Sequence, residues 1–396
     1  MLKQLTALNT PYSFKIYNDF AELPNDWNQL AQENIFLSKE YLRVLQKSAP
    51  ENMECHFIAI LENEQLVGIA LAQFLDLNQL ESFGDRDKCL KTSARNLIFK
   101  KFSSYVLFIG NNMLTGQNAF VISDKADTAK ALKTLKLAVN ALKASYQQKG
   151  IKIHLTSFKD FSENKTKDFR LAGFDNYYEF STQPNMVFTI EENWKSEQDY
   201  IDSLSKKYRD QYKRARKKAA GIEKRKMSLE AIREHEDTIY ALYHHVAKNA
   251  PINTFFLAKN HFSEFKEVLK DKFLFYGYFI DDKMIGFNTL IKNGDAMDTY
   301  FLGYDDEVQR EKMLYLNMLY DMIAYSINKG FKEIIFARTA LEIKSSVGAK
   351  PITMYGFIEH ANCFLNKNME RIFSYLEPEI IWQQRNPFKE VIPQNQ

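Results

Sequence analysis

Residues 206–226 carry eleven basic side chains and only two acidic ones, Asp210 and Glu223. Ile201, Leu204, Tyr208, Tyr212 and Ala215 recur at helical spacing along this stretch. They form a docking stripe, while Arg209, Lys213, Arg214, Arg216 and Lys217 crowd the remaining surface. Such a basic amphipathic helix offers forked guanidinium donors to phosphate, pyrophosphate or carboxylate groups, so an anionic ligand is expected. The competing reading is a solvated face, or a surface drawn to nucleic acid or anionic lipid. A second polar stretch, 338–349, follows an apolar strand and mixes Arg338, Glu342 and Lys344 with small residues.

These groups need a scaffold, and the chain contains an internal repeat that supplies one. In the first half, 56–61 reads as a strand, 62–65 as a polar turn and 66–75 as a second strand. In the second half, 275–280, 281–283 and 284–291 repeat that hairpin. A further strand ending near glycine follows each hairpin, at 105–110 and 298–303. A long helix comes next, at 124–148 and 311–328. The first has Leu132, Leu135, Val139, Leu142 and Tyr146 on one stripe, and the second is apolar over a wider arc. Both end in a lysine and a glycine, Lys149-Gly150 and Lys329-Gly330, and lead into strands at 151–155 and 331–336. Hairpin, strand, crossover helix and strand make an α/β unit with a mixed sheet, the order typical of the GNAT fold. The fold expected is two tandem GNAT-type acyltransferase domains, at 12–190 and 191–365, each a mixed sheet flanked by helices. A short C-terminal helical tail at 366–396 follows, with a helix near 369–382.

Several segments resemble the FemAB/FemX-like transferases and related acetyltransferase-like domains. They are Leu204-Ser205-Lys206-Lys207-Tyr208-Arg209 leading into the basic helix, Met284-Ile285-Gly286, and Tyr300-Phe301-Leu302-Gly303-Tyr304-Asp305. Lys329-Gly330-Phe331 and the closing Ile343-Lys344-Ser345-Ser346-Val347-Gly348-Ala349 belong with them. The resemblance covers about 200–360. The first unit shares the order of elements and Phe36-Leu37-Ser38-Lys39-Glu40-Tyr41-Leu42. In the family pattern a lysine stands before the final Gly-Ala step, near the reacting carbonyl, and Lys344 occupies that place. The resemblance therefore implies a cation that stabilises the oxyanion formed when an amine attacks an ester or thioester. This chain has Ser345-Ser346-Val347 where basic and aromatic residues are common in the family, which leaves the acceptor open.

An α-amine has a pKa of about 8, so a modest carboxylate or a water suffices as base, and Glu342, Asp298 and Asp305 are the candidate carboxylates. Lys344 and Glu342 make the expected catalytic pair. Arg209, Lys213, Arg214, Arg216, Tyr304 and Arg338 make the expected substrate-binding set.

Absences narrow the chemistry. The Gln/Arg-x-x-Gly-x-Gly/Ala loop that cradles the pyrophosphate of acetyl-CoA is replaced at 305–313 by an acidic segment without glycine. At 110–117 only a loose likeness remains. No HExxH occurs, and the adjacent His244 and His245 point to different sides of a helix, so no metal is expected. No GxSxG elbow, Walker loop or strand-linked GxGxxG is present. Cys55, Cys89 and Cys363 are odd in number and far apart, which suits free thiols in a reducing compartment.

Composition sets the remaining limits. A length of 396 residues has room for two or three domains, and a formal charge of +3 does not by itself imply a nucleic-acid partner. The apolar stretch 57–77 is interrupted by Glu62, Glu64 and Gln65, so no membrane-spanning helix is expected. Residues 1–10 lack the apolar core of a secretory signal, which favours the cytoplasm with at most peripheral membrane contact.

The reaction expected is amide formation on the amine of an anionic or phosphate-bearing acceptor, small or lipid-linked, such as a cell-envelope precursor. No cofactor would be bound permanently. An activated donor, acyl-CoA, acyl carrier protein or aminoacyl-tRNA, would serve as co-substrate. The alternatives are an N-acyltransferase of amino-lipid biosynthesis, and a binding module on a GNAT scaffold without chemistry.

Overall fold

The computed structural model describes residues 11–32, 34–79, 103–250, 253–376 and 382–389. Cys89, residues 1–10 and positions 377–381 of the expected tail helix lie outside the described residues. In chain order the strands are β1 (Tyr12–Tyr17), β2 (Met53–Glu62), β3 (Gln65–Asp76), β4 (Tyr105–Ile109), β5 (Phe120–Ile122), β6 (Leu155–Phe161) and β7 (Tyr178–Thr189). They continue with β8 (Glu223–Lys226), β9 (Phe273–Ile280), β10 (Lys283–Asn293), β11 (Ala296–Tyr304), β12 (Glu333–Ala337) and β13 (Lys350–His360).

The chain folds into two compact units, and they interleave along the sequence, where the repeat alone suggested contiguous halves. One takes Met1–Thr182, Lys248–Leu269 and Thr353–Glu379, and the other takes Gln183–Ala247, Lys270–Ile352 and Ile380–Gln396. Polar anchors explain why 248–269 joins the first. Asn52 and Asn112 donate to the carbonyl and hydroxyl of Thr254 at 3.0 and 2.9 Å, and the fully buried His261 ring lies 3.1 Å from the Ser48 hydroxyl.

The first unit orders its strands β1-β2-β3-β4-β6-β13, with β5 beside β3. All of these pairs are antiparallel except the parallel β4–β6. The helix Thr128–Gln148 crosses between those two and buries all five residues of its expected stripe. It begins after Asp127, whose carboxylate accepts the Lys130 N–H, and ends at Gly150 with φ +78°. The strand expected at 151–155 lies later, as β6. Its polar end misled the periodicity, because Lys159 and Asp160 are buried as an ion pair at 2.8 Å.

The second unit orders β7-β12-β11-β10-β9-β8, with only β11–β12 parallel. Its crossover is two helices, Asp306–Lys312 and Leu314–Asn328, because Met313 takes a left-handed conformation at φ +53°. Each unit is thus closed by a strand from the opposite half of the sequence, β13 in the first and the end of β7 in the second. Both hairpin turns have two successive residues at positive φ, Asn63-Glu64 and Asp281-Asp282, which suits two-residue hairpin loops. The basic run divides into the helix Lys206–Lys218 and the outer strand β8, where exposed lysines suit a sheet edge. The tail forms helices Cys363–Lys367 and Met369–Leu376. Among the described residues no helix is long and apolar enough to cross a membrane.

Candidate functional site

The sheet of the second unit opens between its two parallel strands. Their pairing runs from Ala296↔Glu333 to Asp298↔Ile335 and stops there. The Thr299 hydroxyl still donates to the Ile335 carbonyl at 3.0 Å. Just beyond, Tyr300 and Phe301 of β11 stand opposite the single residue Thr289 of β10, a bulge that turns β11 aside. The carboxyl ends of parallel strands, where such an opening lies, are the usual ligand position in α/β sheets.

The chain leaves β12 through a turn with Ala337 at φ +57°, Thr339 at +72° and Ala340 at +46°. Side chains with a Cβ resist this region, a β-branched threonine above all, so the turn stores strain of about 1–3 kcal/mol per residue. Lys344 holds it. This side chain is 4% exposed, and its Nζ donates to the carbonyls of Phe336 at 2.5 Å, Arg338 at 2.8 Å and Ala337 at 3.4 Å. Burial pushes its pKa down to about 7, while the three carbonyl dipoles aimed at it favour the charged form.

The helix Leu341–Ser346 that carries Lys344 is clasped by residues 382–389. Arg385 donates from its backbone to the Ser345 hydroxyl at 3.0 Å and from its guanidinium to the Glu342 carboxylate, and the Ser205 N–H donates to the Pro387 carbonyl at 2.9 Å. Glu342 is exposed and already engaged by a cation.

The basic helix joins this group through Gln211, whose Nε2 lies 3.2 Å from the Tyr320 hydroxyl and 3.4 Å from that of Ser346. It separates its cations into two kinds. Arg216 is taken up internally, with Asp321 at 2.7 Å and Glu197 at 2.8 Å, while the hydroxyls of Tyr212 and Tyr278 donate to the same two carboxylates. Arg209, Lys213 and Arg214 have no side-chain hydrogen bond or ion pair among the described residues, and the last two are exposed.

The other expected residues fall elsewhere. Arg338 is half-buried, with Nε donating to the Gln183 carbonyl at 3.0 Å. Tyr304 ends β11 with its ring 6.2 Å from that of Tyr315, and burial raises its phenol above the ordinary range. Asp305 spends its carboxylate capping the helix Asp306–Lys312. Asp298 is buried on the closed side of the opening. It accepts from Asn293 at 3.2 Å, and burial, reinforced by Glu333, pushes its pKa from 3.8 up to about 7.

In the first unit the corresponding place is fastened shut. Lys159 donates to the carbonyls of Asn111 and Leu114 at 3.0 Å each, and the Asn112 N–H is taken by Gln73 at 2.6 Å. Nothing in the apolar periodicity marks the strained turn, Gln211 or Arg385. Their importance comes from backbone conformation and from contacts distant in sequence.

The family model for FemAB-like proteins, described as peptidoglycan biosynthesis/recognition, matches residues 21–379. No curated protein sequence matches the chain. Among solved structures, FemX aligns at 11% identity with a TM-score of 0.50, covering 92% of this chain and all of that one. A conserved protein of unknown function from Bacteroides thetaiotaomicron VPI-5482 aligns at 11% identity and 0.50, covering 87% and 98%. A tandem GNAT protein from the clavulanic acid biosynthesis pathway aligns at 9% identity and 0.49, covering 88% and 99%. At these identities the likeness is one of fold, a mixed α/β architecture.

Proposed function

Since the chain belongs to the FemAB-like family, we propose that it transfers an acyl or aminoacyl group from an activated ester or thioester to the amine of an anionic acceptor, a cell-envelope precursor. One observation carries this reading. The parting of β11 and β12 opens beside a strained, lysine-held turn, and a helix with three cations unpaired among the described residues is joined to the same element.

In the reaction the amine nitrogen bonds to the carbonyl carbon and the C=O π pair moves onto oxygen. When that pair returns, the bond to the leaving oxygen or sulfur breaks, and the proton lost by nitrogen ends on the leaving group. Arg209, Lys213 and Arg214 hold the phosphate of the acceptor or donor, with Arg338 alongside, while Arg216 keeps the helix in place. Lys344 supplies positive potential beneath the turn. Glu342 is the carboxylate nearest in sequence to receive the amine proton. Its carboxylate already pairs with Arg385, and a partly neutral α-amine asks little of its base.

The test is direct. The purified chain is incubated with isotopically labelled aminoacyl-tRNA, acyl-CoA or acyl carrier protein, together with nucleotide-linked muramyl peptides or amino-lipids, and products are read by mass spectrometry. A labelled amide on a muramyl peptide supports the proposal, and one on a lipid amine moves the activity to amino-lipid synthesis. Absence of both product and donor binding across the panel would falsify it.

A further inference from the structure

In the first unit, the turn after β5 and the helix after β6 bring three charged side chains to one cleft. Among the described residues β5 pairs with β3 alone, and beside it the helices Thr128–Gln148 and Glu163–Leu171 enclose a cavity of about 180 Å³. Its apolar lining is Phe120, Leu132 and Phe169, all buried, with the rings of Phe120 and Phe169 6.0 Å apart. Its charged lining is Asp124, from the turn after β5, together with Lys165 and Asp168. The helix Glu163–Leu171 buries Thr166 and Phe169, which leaves Lys165 and Asp168 on the flank that borders the cleft.

A lysine and an aspartate three residues apart on a helix are surface neighbours and readily pair. In the same unit Lys130 and Asp127 do so at 3.2 Å. Lys165 and Asp168 do not. Neither of these side chains, nor that of Asp124, makes a hydrogen bond or ion pair among the described residues. The cleft thus sets one unpaired cation and two unpaired carboxylates around an apolar surface.

An ammonium has three donors and can serve two carboxylates, while a ligand carboxylate suits a single lysine. A molecule with both charges on one carbon and a short hydrocarbon chain beside them uses all three parts of the cleft at once. The volume lies below the range of drug-sized pockets, which limits the ligand to a few heavy atoms.

We propose that this cleft binds a free α-amino acid with a small apolar side chain. The ammonium sits between Asp124 and Asp168, the carboxylate meets Lys165, and the side chain covers Phe120, Leu132 and Phe169. No bond is made or broken there. The site lies wholly within the first unit, and a chain without any transferase activity would bind the same ligand, so this inference does not rest on the reaction proposed above.

The experiment titrates the full chain, with labelled isoleucine and leucine methyl groups, with L-valine and follows it by methyl NMR. Ile122 and Leu132, which both line the cleft, should shift and saturate at about millimolar valine, an affinity in keeping with partly hydrated ionic contacts. Isovalerate is valine without its amine, and isobutylamine is valine without its carboxylate. Each should bind about 3–5-fold more weakly, and glycine, which lacks the hydrocarbon chain, about tenfold. Lys165→Gln and Asp168→Asn each remove one charge and no buried contact, and each should weaken valine about 3–5-fold. Methyl signals of the second unit, unchanged from wild type, verify that the variants are folded.

Valine that leaves both methyl groups unmoved overturns the proposal. So do shifts that isovalerate or isobutylamine reproduces at equal concentration, since the cleft would then be an apolar crevice only. Undiminished valine affinity in either variant overturns it as well.

Discussion

Asp298→Asn should stabilise the protein at neutral pH, by an amount that depends on pH in a calculable way. The Asp298 carboxyl is fully buried, with Asn293 as its hydrogen-bond donor, and burial lifts its pKa from 3.8 to about 7. Because the folded pKa is the higher one, the folded state keeps the proton after the unfolded chain has released it. The contribution to stability is therefore complete below pH 3.8, falls as pH rises, and is lost once pH passes about 7. Each pH unit in that window costs about 1.4 kcal/mol, so a window of about three units amounts to about 4 kcal/mol as an upper bound. Asparagine has the same shape, never ionises, and can still accept from Asn293 through its carbonyl oxygen. The variant should gain about 1–2 kcal/mol over wild type at pH 5 and about 4 at pH 8. Urea unfolding of both proteins at each pH reads the difference, and amide hydrogen exchange of β11 and β12 peptides assigns it to the second unit. A difference that stays flat within about 0.5 kcal/mol from pH 5 to 8 would show that Asp298 ionises normally and that its burial has been misjudged.

Other substitutions separate structural from functional cations and test the strain. Arg216→Ala leaves Asp321 and Glu197 without their main partner and should cost about 2 kcal/mol by chemical denaturation, since the guanidinium is only partly exposed. Lys213→Ala and Arg214→Ala should change stability by less than about 0.5 kcal/mol, yet weaken a phosphate-bearing substrate several-fold when KM is measured. Thr339→Gly removes the conflict between a β-branched side chain and φ +72°, and should raise unfolding free energy by roughly 1 kcal/mol net of the entropy of glycine; a loss of stability would mean that the turn is not strained there.

The repeat was legible because its signals are local. Hairpins with polar two-residue turns, a Leu-rich stripe from Leu132 to Tyr146, and glycines at 150 and 330 each follow from spacing along a few residues. The interleaving of the units was not legible. Which partner β7 or β13 takes is decided between strands far apart in sequence, and both read alike as extended segments. Polar residues inside strands hid β6 as well, since Lys159 and Asp160 satisfy each other only once folded.

The same distinction explains the site. Lys344 could be singled out as a residue, but its partners are backbone carbonyls, which every residue possesses and no sequence pattern displays. Both units set a buried lysine on backbone carbonyls just beyond one of their two parallel strands, β4 in the first and β12 in the second, and the outcomes differ in what is left over. In the first unit Lys159 binds the loop after β4, while Gln73 takes the Asn112 N–H and Thr254 takes the Asn112 side chain, so those donors are consumed internally. In the second unit Lys344 draws the carbonyls inward while the Thr339 and Ala340 N–H groups donate to nothing among the described residues. Spent donors stabilise a fold, so the two loops differ in how fully their backbone and side-chain donors are taken up within the chain.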